Sequence, residues 1–251
     1  NSCMKQCCII FFLIISNISF CQKKPFKVGE FAKYTISFGP LAVGHGELSI
    51  SEMVVSNNIP MYHMIGTGKT SKFFDVFFKV RDVYETYIDT NTLLPVKFLR
   101  DVYEGGHVIK QEYKFNHEKN LVQTQNNQFK IPNESQDMLS AFFYARTFNK
   151  EIVLSDSVFT IPIFMDDENY FLEVKYLYDE VLETSLGDIK CMVFQPKMQE
   201  GRVFEDGEDM KIWISDDENK MLYKVETKIW AGKIKAELTE YQNNLYPIIK
   251  I

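Results

Sequence analysis

Cysteine is nearly missing from the body of this chain. Five occur in 251 residues, and four of them (Cys3, Cys7, Cys8 and Cys21) fall within the first 21. Cys191 is left alone, which excludes an internal disulfide in the body. Its setting in the strand-like run Ile189–Phe194 reads as that of a small buried hydrophobe. Histidine is also scarce. His45, His63, His107 and His117 show no ligand-like spacing, so no metal site is expected and they read as surface or strand residues. There is no G-x-S-x-G elbow, no P-loop and no G-x-G-x-x-G, so neither a serine hydrolase nor a nucleotide cofactor is indicated. Carboxylates are many, but sequence alone cannot pair two across a cleft as a glycosidase requires. The densest acidic run, Glu205–Asp209, lacks the alternating ligands of a calcium loop and reads as a solvated hairpin. Asp166–Glu168 and Asp216–Glu218 read as turns. No catalytic residue and no cofactor is assigned, and the expectation is a non-enzyme.

Positive charge is in deficit as well. With a formal net charge of −6 and a pI near 5.4, the chain repels phosphate backbones. This balance excludes general nucleic-acid binding and argues against electrostatic docking on anionic lipid. Past the first 20 residues no run is apolar enough to cross a bilayer as a helix. That first stretch reads as a secretory leader covering residues 1–21. Met4 and Lys5 form a short positive start, with Met4 the expected initiator, and Cys7–Phe20 is mostly apolar. Cleavage after Cys21 would leave Gln22 first and send the protein to the periplasm. Alternatively, Ile18-Ser19-Phe20-Cys21 is a lipobox-like run in which Cys21 would be lipidated and would anchor an outer-membrane lipoprotein, although Phe20 stands where a small residue is wanted.

What is abundant is apolar and aromatic side chains, 45% and 14% of the chain. A chain this long can bury roughly 70–75% of its unfolded surface. The body reads as strands. In Phe31–Phe38, Ala32, Tyr34, Ile36 and Phe38 alternate with Lys33, Thr35 and Ser37, the period of a half-buried strand. Gly44–Val54, Pro60–Thr67 and Val76–Asp89 follow as further strands. Two stretches of equal length then echo each other, Tyr87–Phe115 and Trp213–Tyr241. Each opens on an aromatic residue and Ile, then has a polar turn, a strand, a glycine turn (Gly105-Gly106, Ala231-Gly232) and another strand. Between them, Glu134–Phe148 has helical spacing, with Met138, Phe142 and Ala145 on one stripe, Asn133 as N-cap and Gln136 completing a capping box. The expected fold is mainly β: a large curved antiparallel sheet or open barrel, with one central helix at about 134–148 packed on its concave face. Residues 22–251 read as one domain carrying two pseudo-repeated meanders.

Four blocks also carry a family likeness: FKVGEFAKYTISFGPLAVGHGELSI, SKFFDVFFKVRDVYETYID, SQDMLSAFFYAR and MKIWISDDENKMLYKVET. In order and spacing they resemble an exported bacterial family catalogued as domain of unknown function 3108, from Phe26 to Tyr241. The leader is similar to those of the Bacteroidetes. The family implies no established activity. More distantly, Tyr87-Ile88-Asp89 followed by Leu94-Pro95 is similar to a turn of the lipoprotein carriers LolA and LolB. That likeness implies an unclosed barrel with helices on its concave face and room for acyl chains between them. The second unit departs from it, since Tyr223 stands where the proline would fall, and one helix is expected where the carriers have more.

Charges inside these blocks suggest a contact between helix and sheet, in which Arg146 or Asp137 meets Arg81 or Asp82. It would either fix the helix or anchor a ligand head group. The candidate ligand-binding residues are Met138, Phe142, Phe143 and Arg146 on the helix with Arg81, Trp213 and Trp230 on the sheet. The Tyr-rich strand Tyr170–Tyr178 could also line a cavity. The expected role is that of a non-catalytic cell-envelope protein binding a hydrophobic small molecule or a lipoprotein. The alternatives are an assembly factor that binds other envelope proteins, and a hydrolase.

Overall fold

A computed structural model describes residues 24–56, 58–155, 158–197, 210–229 and 232–251. The leader with Cys21, the acidic run 205–209 and Trp230 lie outside the described residues. The elements are β1 (Phe31–Phe38), β2 (Leu41–Ser56), β3 (Ile59–Thr70), β4 (Val80–Asp89), β5 (Pro95–Glu104), β6 (His107–Asn116), β7 (Leu121–Gln123) and β8 (Gln128–Lys130). After them come α1 (Ser140–Ala145), α2 (Lys150–Ser155), β9 (Val158–Met165), β10 (Glu168–Thr184), β11 (Gly187–Lys197), β12 (Met210–Ser215), β13 (Leu222–Ile229) and β14 (Gly232–Gln242).

All fourteen strands form one sheet in the order β8-β7-β6-β5-β4-β3-β2-β1-β14-β13-β12-β11-β10-β9. It is two meanders, β1–β8 and β9–β14, fused where β1 pairs antiparallel with β14, Tyr34 opposite Leu238. The sheet curls without closing. One core cluster draws Ile50, Met64, Ile88, Phe98 and Tyr113 from β2 to β6, Phe143 from α1 and Phe164 from the far edge strand β9. Residues so distant in strand order can meet only if the sheet wraps around the helix. The β8 and β9 edges do not pair with each other, but the segment between β8 and α1 bridges them. Gln136 donates its N–H to the Pro162 carbonyl and accepts from the Phe164 N–H, both at 2.8 Å.

That bridge corrects the expected helix. Residues 134–139 are not helical, because Gln136 is spent on the β9 edge rather than on a capping box. Asp137 takes the capping role. Its Oδ1 accepts from the Leu139 and Ser140 N–H groups at 2.8 and 2.7 Å, and its own N–H donates to Ser140 Oγ at 2.8 Å. The helix that follows is short, and a second one, α2, follows it where a single helix was expected. The expected strand Val76–Asp89 also starts late, at Val80, after a 3-10 turn at Phe74–Val76.

Candidate functional site

An apolar space lies between the two helices and the inner face of β9–β12. It has a volume of about 340 Å³. On one side are Met138, Ala141, Phe142, Ala145 and Val153. On the other are Phe159, Ile161 and Ile163 of β9, Leu172 and Val174 of β10, Met192 and Phe194 of β11, and Ile212 and Ile214 of β12. The lining is almost wholly apolar. Among the described residues its charged members are Arg146, Lys197 and Lys220, with no carboxylate. The volume falls within the roughly 300–1,000 Å³ of small-molecule sites.

Alternation along the strands explains the wall. Met192 and Phe194 line the cavity, while their neighbours Cys191 and Val193 belong to a separate buried cluster with Trp213, Tyr223 and the C-terminal Ile248. In β12, Ile212 and Ile214 line it and Trp213 points to that other cluster, with its indole N–H donating to Glu180 at 2.8 Å and Lys224 stacked over its ring at 4.3 Å. The middle of β11, Cys191–Phe194, is thus buried on both faces. Burial also pushes the Cys191 thiol up to about 12, the behaviour of an inert core cysteine.

A second space, of about 250 Å³, lies under β1–β4 and β14. Gly46, Gly66 and Gly68 line it and have no side chains to fill it. Tyr34, Ile36, Glu47, Asp82, Tyr84 and Ala236 are also among its lining residues. Met138 borders both spaces. Burial, with Glu104 nearby, pushes the Asp82 carboxyl up to about 6.

Of the residues named from sequence, Met138, Phe142 and Arg146 line the main cavity. Phe143 does not. On a six-residue helix adjacent positions diverge, and Phe143 is turned into the core against Phe26, with ring centroids 5.5 Å apart. Trp213 is on the opposite face of its strand. Arg81 is elsewhere, bound to Asp75 through both terminal nitrogens at 2.9 and 2.5 Å. The helix–sheet charge contact exists with other partners. The Arg146 guanidinium meets Glu30 at 2.5 and 3.1 Å and the Asn219 carbonyl at 2.8 and 3.2 Å. Asp137 accepts from Thr86 at 2.6 Å, and its burial pushes its carboxyl up to about 6. The missed lining residues carried a signal, the alternation of β9, β11 and β12. With both faces apolar, that alternation has no readable polarity.

One further polar alignment crosses three strands. Ser51 Oγ is 3.0 Å from His63 Nδ1, and His63 Nε2 is 2.7 Å from Glu85. The order resembles a nucleophile, base and orienting acid. However, it sits on the exposed side of β2–β4, in the middle of paired strands whose amides are taken up by the ladder, and it borders none of the cavities described above. Oxyanion donors and a cleft would both be needed for acyl transfer. Among the described residues, no group of three or more His, Cys, Asp or Glu is gathered to hold a metal ion.

Comparison with known proteins agrees with this architecture. A crystal structure titled a β-barrel-like protein of domain of unknown function DUF1849, from Brucella abortus, aligns with 85% of this chain and 96% of that one at a TM-score of 0.55 and 10% identity. That likeness is one of fold. No curated protein matches. Residues 33–239 match the family described as Protein of unknown function (DUF3108), and the chain belongs to that family.

Proposed function

We propose that this protein is a non-catalytic, exported carrier of the cell envelope that holds a single apolar chain between its helices and β9–β12. The observation that carries the reading is the cavity of about 340 Å³ with its apolar wall. Leaving such a space empty forfeits packing that a core would otherwise gain, so a molecule with no ligand would be expected to fill it with its own side chains. The leader supports export. The shape of the site favours a flexible chain: its wall follows β11 from Met192 to Lys197 and β12 from Met210 to Ile214, a run of roughly 13–17 Å at the rise of a strand. In an acidic protein, a lining whose charged members among the described residues are cations favours a ligand ending in a carboxylate or another anionic group.

The test is displacement of a fluorescent fatty acid, together with native mass spectrometry of protein purified from its own envelope. The wild type should take up the probe and carry co-purified lipid, and Ile212→Trp should lose both while keeping its unfolding midpoint. A wild-type protein that arrives lipid-free and ignores the probe would remove the reading.

A further inference from the structure

The sequence between β3 and β4, Ser71-Lys72-Phe73-Phe74-Asp75-Val76-Phe77-Phe78-Lys79, is the most apolar exposed segment of the described chain. Phe73, Val76, Phe77 and Phe78 are 69%, 83%, 74% and 55% exposed. Isolated apolar side chains on a surface need no explanation, but a contiguous cluster does. These residues are also ordered. Phe73, Phe74 and Phe77 pack edge-on or tilted with centroids 5.2–6.4 Å apart. The turn is closed by Phe77 and Phe78 N–H groups donating to the Phe74 carbonyl at 2.9 Å. Beneath them, Asp75 accepts from Thr70 at 2.6 Å and from Arg81, and Thr70 in turn accepts from the Val80 N–H at 3.0 Å. Neighbouring loops extend the patch. Ser71 donates to the Val43 carbonyl, two residues from Leu41, itself 56% exposed. Phe78 lies so close over Gly105 that a Cβ there would collide with its ring.

We propose that this end of the barrel docks on a phospholipid membrane, with Phe73, Val76, Phe77 and Phe78 entering the headgroup–acyl boundary. The inference does not rest on the carrier reading. Charge selects the occupant. Lys72 and Lys79 bracket the aromatics and are exposed, and the one acid of the segment, Asp75, is already neutralised by Arg81. Aromatics flanked by two lysines match an apolar interior under an anionic surface. Protein interface cores are also rich in aromatics, so it is the flanking lysines that favour an anionic lipid surface. Against a whole-chain charge of −6, the segment Ser71–Lys79 itself carries two lysines and one acid.

The experiment is vesicle co-sedimentation of the chain without its first 21 residues, which contribute none of the described elements. Vesicles of phosphatidylethanolamine with phosphatidylglycerol are compared with phosphatidylcholine alone. The wild type should bind the anionic vesicles, and the double variant Phe73→Ser/Phe77→Ser should bind them about tenfold less well while keeping the unfolding midpoint and fatty-acid uptake of the wild type. Lys72→Gln/Lys79→Gln should weaken anionic binding most at low salt. Undiminished binding by a folded Phe73→Ser/Phe77→Ser protein overturns the proposal. So does a wild type that binds neither vesicle, including one that instead retains a protein through the same phenylalanines.

Discussion

The two echoing units, Tyr87–Phe115 and Trp213–Tyr241, share their turn chemistry and part company in how their faces are used. In each polar turn one aspartate takes the N–H groups two and three residues on: Asp89 bonds Asn91 and Thr92, and Asp217 bonds Asn219 and Lys220. Each turn also ends on a residue with positive φ, Leu93 at 58° and Lys220 at 47°. The first unit packs its inner face solid, with Phe98 against Tyr113 at 5.6 Å and Tyr113 against Phe164 at 5.2 Å. Its outer face is polar, with Lys97, Glu112 and Lys114 paired in solvent. In the second unit the outer face is buried around Trp213 and Tyr223, and Ile214 on the inner face fronts empty space. The same ribbon thus serves as a core on one side of the barrel and as a cavity wall on the other. What differs is the cover. Tyr241 and the C-terminal Ile248 pack on the second unit's cluster, whereas among the described residues nothing comparable covers the outer face of the first.

The largest expected effect tests what ties the second unit to the helix. Arg146 spans Glu30, ahead of β1, and the Asn219 carbonyl in the second turn, so Arg146→Ala leaves a buried carboxylate and a buried carbonyl unpaired. Stability should fall by about 3–5 kcal/mol in urea titration. A loss below ~1 kcal/mol would mean that the turn is held by other contacts.

Packing should separate the units next. Phe98→Ala in the solid core should cost about 3–5 kcal/mol, whereas Ile212→Ala beside the cavity should stay below about 2 kcal/mol, since that side chain already lacks neighbours on one flank. Equal losses would erase the distinction between a packed and an open inner face.

A pH experiment addresses Asp137, which joins α1 to the first limb through Thr86. Its carboxyl is pushed up to about 6 in the fold, while an unfolded aspartate titrates near ~3.9. The native state therefore binds the proton more tightly, and ionised Asp137 weighs against folding. That penalty, on the order of 3 kcal/mol, is full above about pH 6, shrinks as pH falls and is gone below about pH 4. Asp137→Asn keeps a capping acceptor without the charge. The wild type should gain on the variant as pH drops from 7 to 4 in paired urea titrations, and a constant difference between them would contradict the assignment.

The smallest effect concerns Cys191 in the covered outer cluster. In a chain without the first 21 residues, a thiol reagent should fail to label native Cys191 and should label it on unfolding, as counted by intact mass. Prompt native labelling would show that this face is open after all.

Much of the architecture was legible from residues. Alternation in Phe31–Phe38 marked β1 at its observed bounds, and the echoing units became β4–β6 and β12–β14. The helix was half legible. The stripe of Met138, Phe142 and Ala145 faces the cavity, yet its first turn was lost to the pairing of Gln136 with β9, a contact 27 residues away that local spacing does not encode. The site was less legible than the fold. Trp213 and Phe143 were plausible wall residues by composition, but strand parity sent one to the opposite face and helix rotation sent the other into the core.

The amino-acid sequence by itself determined the family, the antiparallel meanders and the turns between them, because period-two patterning and Asp, Asn and Gly turn preferences act over a few residues. Only the tertiary structure decided that Arg146 would find Glu30 rather than Arg81 or Asp82, that Arg81 would brace an exposed cluster of phenylalanines, and which parity of β11 and β12 would face a void. Those outcomes depend on how a fourteen-stranded sheet curls and where its two ends meet, and the fit of distant side chains in that curl is not written in any local stretch of the chain.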